Sequence, residues 1–286
     1  MDAHLLTAWN GDPTLLAGIG LLLVSYWVGA VRDRQGGEVG PSWRAACYLG
    51  GVAVLALALV SPLDLLADRY LFSAHMLQHI LLLLVIPPLI LAGLPSSLAG
   101  LLEVVFTRWR CTRWLASPLV AFILYAVLTW IWHLPLFYEA ALRSEALHAV
   151  EHLCFLLSAG LFWMPICRPI GSLRLPALVQ IVYIFGAGVS STALAALITF
   201  ATHVLYPTYA QDGPSAVVRT ALGLTPLADQ QLGGLLMWIG GAFWFLGAAA
   251  VVFYRWFERA AREEVTAVDG VRDDAVRNTV GDGVSW

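Results

Sequence analysis

Seven stretches of this chain stay apolar for about the 20 residues of helix that the ~30 Å hydrocarbon core of a bilayer demands. They lie at roughly 13–31, 43–60, 73–92, 117–134, 146–165, 176–204 and 230–254. Backbone groups in hydrocarbon must be satisfied within the segment, so each run reads as a helix. Composition agrees: 59% of the 286 residues are hydrophobic and 12% are charged, where soluble domains carry roughly a quarter charged. The expected fold is all-α, a polytopic membrane protein built as a bundle of seven transmembrane helices across residues 1–257, with the lipid bilayer as its surroundings. A net charge of −3 offers no surface for nucleic acid. The Pro87–Pro88 pair falls inside the third run and predicts a kink, because each ring removes a backbone donor.

Orientation is read from the 16 basic residues, all of them arginine. Loops after the first, third and fifth runs carry Arg32, Arg34, Arg44, Arg108, Arg110, Arg113, Arg168 and Arg174, and the tail adds five more. The opposite side holds Arg69, Arg143 and Arg219. The bias predicts an N-terminus outside and a C-terminus in the cytoplasm of a bacterial inner membrane. The opening MDAHLLTAWNGDPT lacks a basic n-region, so the first run is expected to stay as a helix. Residues 98–115 read as a helix on the cytoplasmic interface. Residues 258–286 form a charged tail expected to be disordered. No C-x-x-C pair joins Cys47, Cys111, Cys154 and Cys167.

On this topology all seven histidines fall on the outer side. His75 and His79 open the third span, His133 closes the fourth, His148 and His152 open the fifth, and His203 closes the sixth. His4 is on the outer tail, where it reads as an ordinary surface residue. Each of the two H-x-x-x-H pairs places both rings on one helix face. Facing pairs of that kind build metal sites inside helix bundles. Neutral imidazole is the commonest side-chain ligand for zinc, copper, iron and nickel. Glu151, Asp64, Gln78, Asp68, Asp229 and Gln230 map to the same half and are candidates to orient the rings or to ligate. Met76 and Met237 offer soft thioethers suited to Cu(I). Glu151 is the acid that stands out, since an ionisable group within a span is functional by default. The segments GAGVSS (186–191) and GGLLMWIGG (233–241) read as small-residue faces for close helix packing.

Three long stretches carry a resemblance: HMLQHILLLLVIPPLILAGLP at 75–95, WHLPLFYEAALRSEALHAVEHLCFLLSAGLFW at 132–163 and LTPLADQQLGGLLMWIGG at 224–241. Through them the chain, from about 15 to 256, resembles the CtaG family of cytochrome c oxidase assembly factors, the kind associated with caa-type oxidases. The resemblance implies a multi-span membrane protein that helps mature the oxidase by handling copper, with oxidase subunits as partners; the leading expectation is a non-catalytic assembly factor. Carried over residue by residue, it points to His75, His79, His133, His148, His152 and His203, with Glu151, Asp229, Gln230 and Met237 beside them. Whether the chain forms a homo-oligomer is left open.

Other chemistries fit parts of the pattern. HAVEH at 148–152 matches H-x-x-E-H, the inverted zinc-peptidase signature, with Glu151 as general base. Histidines on two helices are also what a b-type haem requires. A proton-relay path finds few ionisable residues in the cytoplasmic halves of the spans. The leading expectation is copper held near the periplasmic face, with zinc or haem as alternatives.

Overall fold

The computed structural model of the protein describes residues 7–38, 40–167, 175–211 and 213–281. His4, Arg168 and Arg174 lie outside the described residues. Among those described, every regular element is helical. The long helices are α1 (Pro13–Gln35), α2 (Ser42–Leu59), the short α3 (Pro62–Arg69) that follows it, and α4 (Phe72–Gly93). Next come α5 (Ser96–Arg108), α6 (Arg110–Leu115), α7 (Pro118–His133) and α8 (Pro135–Leu142). The chain closes with α9 (Glu145–Cys167), α10 (Ala177–Thr199), α11 (Pro214–Ala221) and α12 (Pro226–Gly281).

Six of these helices are long and apolar enough to cross a membrane, and seven if α7 and α8 count as one span bent by 72°. The bend follows from Pro135, which pushes Leu134 into extended backbone and starts a new helix. Outward stripes such as Leu119, Ile123 and Val127 on α7, or Val182, Phe185 and Val189 on α10, are exposed. Stripes of this kind suit lipid rather than water. The segment expected to lie on the interface is two helices, α5 and α6, with no buried residue in either.

Two expectations about helix ends change. The sixth span stops at Thr199 rather than 204. The backbone of α12 continues as helix through Gly281, where a disordered tail was expected from 258. An Arg262–Glu258 pair at i, i+4 supports the helix just past the apolar part.

The proline pair in α4 is absorbed without breaking the helix. A π-turn at Leu81–Val85 precedes it, with the Ile86 N–H reaching back to the Leu81 carbonyl. Pro87 has no N–H to offer the Leu83 carbonyl one turn back. Trp163 of α9 takes that place, its Nε1 donating to Leu83 O at 2.9 Å. At the other end of α4, Asp229 of α12 serves as a cap from outside the helix. Its carboxylate accepts from the backbone N–H groups of Phe72 (2.8 Å) and Ser73 (3.2 Å) and from Ser73 Oγ (2.5 Å). His75 sits two residues further on, so this cap fixes the first histidine of the bundle.

Small residues let the helices approach. Gly233 meets Phe72 and Met76, Gly234 meets Thr199 and Ile198, and Gly188 faces Phe245. The main core joins Leu55, Leu82, Tyr125, Phe155, Phe162 and Trp163. A second core at the histidine end holds Phe72, Met76, Tyr138, Tyr206, Tyr209 and Met237.

Among the described glycines the tightest surroundings are at Gly93, where an added Cβ would collide with the backbone N of Tyr48 and O of Arg44. Gly93→Ala is expected to lower thermal stability in detergent by about 1–3 kcal/mol or more. Gly100, in open space on α5, is the control: Gly100→Ala should be neutral or stabilising by about 0.5–1 kcal/mol. Equal melting of the two variants would mean that the α2–α4 crossing is looser than described.

Candidate metal centre

Helical spacing on α4 puts His75 and His79 on one face, and both are buried. Their Nε2 atoms lie 2.8 Å apart. Two bare lone pairs at that distance repel, so a proton or a cation must lie between them. From α9, His148 and His152 turn the same way, with ring centroids 4.1 Å apart. The His75 ring lies 5.2 Å from His148, and the His79 ring lies 5.8 Å from His152. His133, at the end of α7, closes a third side with its ring 5.3 Å from His79. Glu151, fully buried on α9, brings Oε1 to 3.6 Å from His79 Nε2.

Hydrogen bonds outside the cluster fix which ring nitrogens face inward. His133 Nδ1 donates to the Thr129 carbonyl at 2.7 Å, which leaves Nε2 with its lone pair. The Tyr209 hydroxyl donates to Ala67 O at 2.5 Å. Its oxygen lies 2.9 Å from His75 Nδ1, so that nitrogen is the donor and His75 Nε2 turns its lone pair inward. An outer partner on one nitrogen and a free lone pair on the other is how histidine is prepared to ligate.

Many buried atoms here have no hydrogen-bond partner. They are Nδ1 of His79, Nε2 of His133, His148 and His152, both carboxylate oxygens of Glu151, Oδ1 of Asp68 and Oε1 of Gln78. Native interiors leave very few such groups unpaired. Nitrogens and carboxylate oxygens converging in this way fit a cation. Two groupings bring one ligand atom from each member within 4.8 Å of the others: His75 with His79 and His152, and Asp68 with His75 and His148.

The remaining sequence candidates have other roles. His203 lies past the end of α10, is exposed, and does not join the cluster. Gln230 draws this segment away: its Oε1 accepts from Leu205 N at 2.7 Å, and its Nε2 donates to the His203 carbonyl at 3.4 Å. Asp229 is occupied in capping α4. Asp64 accepts from Gln78 (2.9 Å) and Asn10 (2.8 Å), tying α3 to α4 and to the N-terminal segment. Met237 packs in the second core and, with His79, lines a small void.

Sequence reasoning missed the tyrosines over the cluster. Tyr138 of α8 lies 5.1 Å from the His75 ring, centroid to centroid. Tyr206 donates to the His133 carbonyl at 2.7 Å. The turn Pro207–Ala210 that carries Tyr209 is pinned by Glu139, which accepts from Thr208 N (3.1 Å) and Thr208 Oγ1 (2.6 Å). Arg219 of α11 donates to the Tyr209 carbonyl. No periodicity marks such a turn. The only signal is the aromatic pair flanking a proline in LYPTYA.

These features define a class: a many-span helical membrane protein with a buried polyhistidine cluster at one end of the bundle. The chain belongs to the cytochrome c oxidase caa3 assembly factor family, whose sequence profile matches residues 24–259. It is also similar to uncharacterized proteins of Mycobacterium bovis and Mycobacterium tuberculosis. Each is 28% identical over 190 residues, covering 61% of this chain and 29% of the relative. A Mycobacterium leprae protein is 28% identical over 197 residues, covering 63% of this chain and 29% of the relative. The chain thus spans less than a third of the length of these relatives. No solved structure matches it.

Beside the spans, α3 carries two carboxyls held above their usual range. Burial pushes Asp68 to about 7, opposed by Arg69 and aided by Glu145. Burial, then the charge of Asp68, pushes Asp64 to about 6, against the hydrogen bonds from Asn10 and Gln78. In the unfolded chain such groups titrate near 4. Between about pH 4 and pH 7 each of these two carboxyls therefore binds more protons in the folded chain than in the unfolded one, and its own contribution to stability falls as pH rises. Asp68→Asn, which keeps the shape without the charge, is expected to raise the melting temperature of metal-free protein relative to wild type more at pH 8 than at pH 5. An equal difference at the two pH values would show that Asp68 is not penalised by burial.

Proposed function

We propose that this chain binds copper in the histidine cluster and delivers it to a cytochrome c oxidase subunit docked alongside. The observation that carries the reading is the convergence of unpartnered, buried ring nitrogens from α4, α7 and α9 around Glu151. Each unpaired group costs about 1–3 kcal/mol, which a bound cation offsets. His75, His79, His133, His148 and His152 would hold the ion, with Glu151 supplying charge. Imidazole suits late first-row metals, and the family's role in oxidase assembly favours copper among them. The rings touch one another, an arrangement that favours a bare ion over a porphyrin plane.

Copper is cargo here, and no catalytic step is assigned. The arginine bias supports an N-terminus outside and a C-terminus inside a bacterial cytoplasmic membrane. The cluster, at the N-terminal ends of α4 and α9, then sits near the periplasmic face. The zinc-hydrolase reading keeps one point in its favour: His148, Glu151 and His152 do enter the same cluster.

Protein purified without chelator is expected to carry copper by elemental analysis. His75→Ala with His79→Ala should abolish it while the chain remains membrane-inserted. Zinc as the sole metal would turn the assignment to the hydrolase. Deleting the gene should lower oxidase activity, with partial rescue by added copper; unaltered oxidase would remove the assembly role. Tyr209→Phe removes the nearer of two outer partners of His75 Nδ1 and leaves the Ala67 carbonyl at 3.3 Å, so competition titrations should show copper affinity falling about tenfold. Undiminished affinity would mean that the Tyr209 hydroxyl does not orient the ring.

A further inference from the structure

A cleft of about 750 Å³ opens at the histidine end between the N-terminal segment, α1, α3 and α9. His148 and His152 line it, together with the carboxylates of Asp12, Asp64, Asp68 and Glu145 and a single cation, Arg69. His152 is only 8% exposed, and its Nε2 has no hydrogen-bond partner. The same ring belongs to the inner grouping with His75 and His79. The cleft and the buried cluster thus share a wall.

Asp68 and His148 stand where the cleft meets that wall. Asp68 Oδ1 lies 3.6 Å from His148 Nδ1, too far for a hydrogen bond. Asp68 Oδ1 and His148 Nε2 are both without partners. Each groups with His75, which is also a member of the inner set. We infer that the cleft is the loading entrance for the cation, and that Asp68 with His148 forms an outer receiving site. From there the ion passes across His75 to His79 and His152.

Clefts in which one sign of charge predominates, here four carboxylates against Arg69, concentrate the opposite ion and raise its on-rate. Exchange across a shared ligand lets the ion move inward one bond at a time, with no redox change and no release to water. This inference rests on the copper-carrier reading above, and it adds the route to it.

Loading is tested on the full chain in nanodiscs, with Cu(I) supplied anaerobically as its acetonitrile complex. Samples are quenched with a Cu(I) chelator, and retained copper is counted against time. The His75→Ala, His79→Ala variant gives the background from free cysteines. Gly18 lines the cleft with open space in front of it, so Gly18→Trp plugs the entrance without touching a ligand. Ala149, also on the cleft wall, serves as a second plug through Ala149→Trp if the first misfolds. A folded plug variant should load about tenfold or more slowly than wild type yet reach the same final copper content. Asp68→Asn should slow loading by about tenfold. Wild-type rates in either a plug variant or Asp68→Asn would overturn the entrance. No copper above background in wild type would instead overturn the carrier reading itself.

Discussion

A polar group inside a bilayer has only the protein to bond with, and this constraint organises the whole bundle. Asp229 reaches from α12 to close the open N-terminus of α4. Trp163 reaches from α9 to the Leu83 carbonyl that Pro87 cannot serve. Tyr183 donates to the Phe162 carbonyl at 3.2 Å, and Trp130 to Ser190 Oγ at 3.0 Å. Each bond crosses from one helix to another. Dispersion and small-residue contacts bring the helices together, and these few polar ties set which atoms face which. The exact height of His75 in the bundle follows from one of them.

At the histidine end the same constraint is left unmet. Glu151 has neither carboxylate oxygen bonded, and four histidines keep an idle nitrogen. A folded chain has a net stability of only about 5–15 kcal/mol, so a cluster of this kind survives because α4, α7 and α9 are fixed elsewhere. The ligands are rigid before any ion arrives, held by the Thr129 carbonyl, by Tyr209 and by Asp229. Whatever satisfies them, and prefers the folded state to the unfolded chain, stabilises the fold by mass action. Occupancy of the site and stability of the fold are therefore thermodynamically linked.

The spans were legible because length and hydropathy decide them locally. The two histidine pairs were legible because helical periodicity decides them too, and five of the six span histidines do meet. His203 escaped that logic. Its helix was read through residue 204, but Gln230 and Gln231 hold the following backbone at Leu205, His203 and Ala201, so the helix ends at Thr199. Asp229 and Gln230 were read as companions of the metal because they share its end of the membrane. Only the three-dimensional pairing of α12 with α4 tells a cap from a ligand. The tyrosine cover was invisible for a related reason. A turn pinned by Glu139 from another helix leaves no repeat in its own sequence. From residue 258 onward the reading weighed composition, which is charged, over the helix-forming order of those charges.

A carrier differs from a storage site in what it omits. None of the four cysteines is in the cluster; Cys47, Cys154 and Cys167 are half-buried elsewhere and Cys111 is exposed. Without thiolates the ligand set is nitrogen and oxygen, which holds Cu(I) less firmly than sulfur does. The ligands also come from three separate helices, so no single rigid loop wraps the ion. His75 belongs to both groupings, and a shared ligand allows one bond to form before another breaks. On the proposed carrier reading, a partner offering softer donors would draw the ion away stepwise. Direction would then be set by the partner's ligands, with no conformational engine required of the carrier.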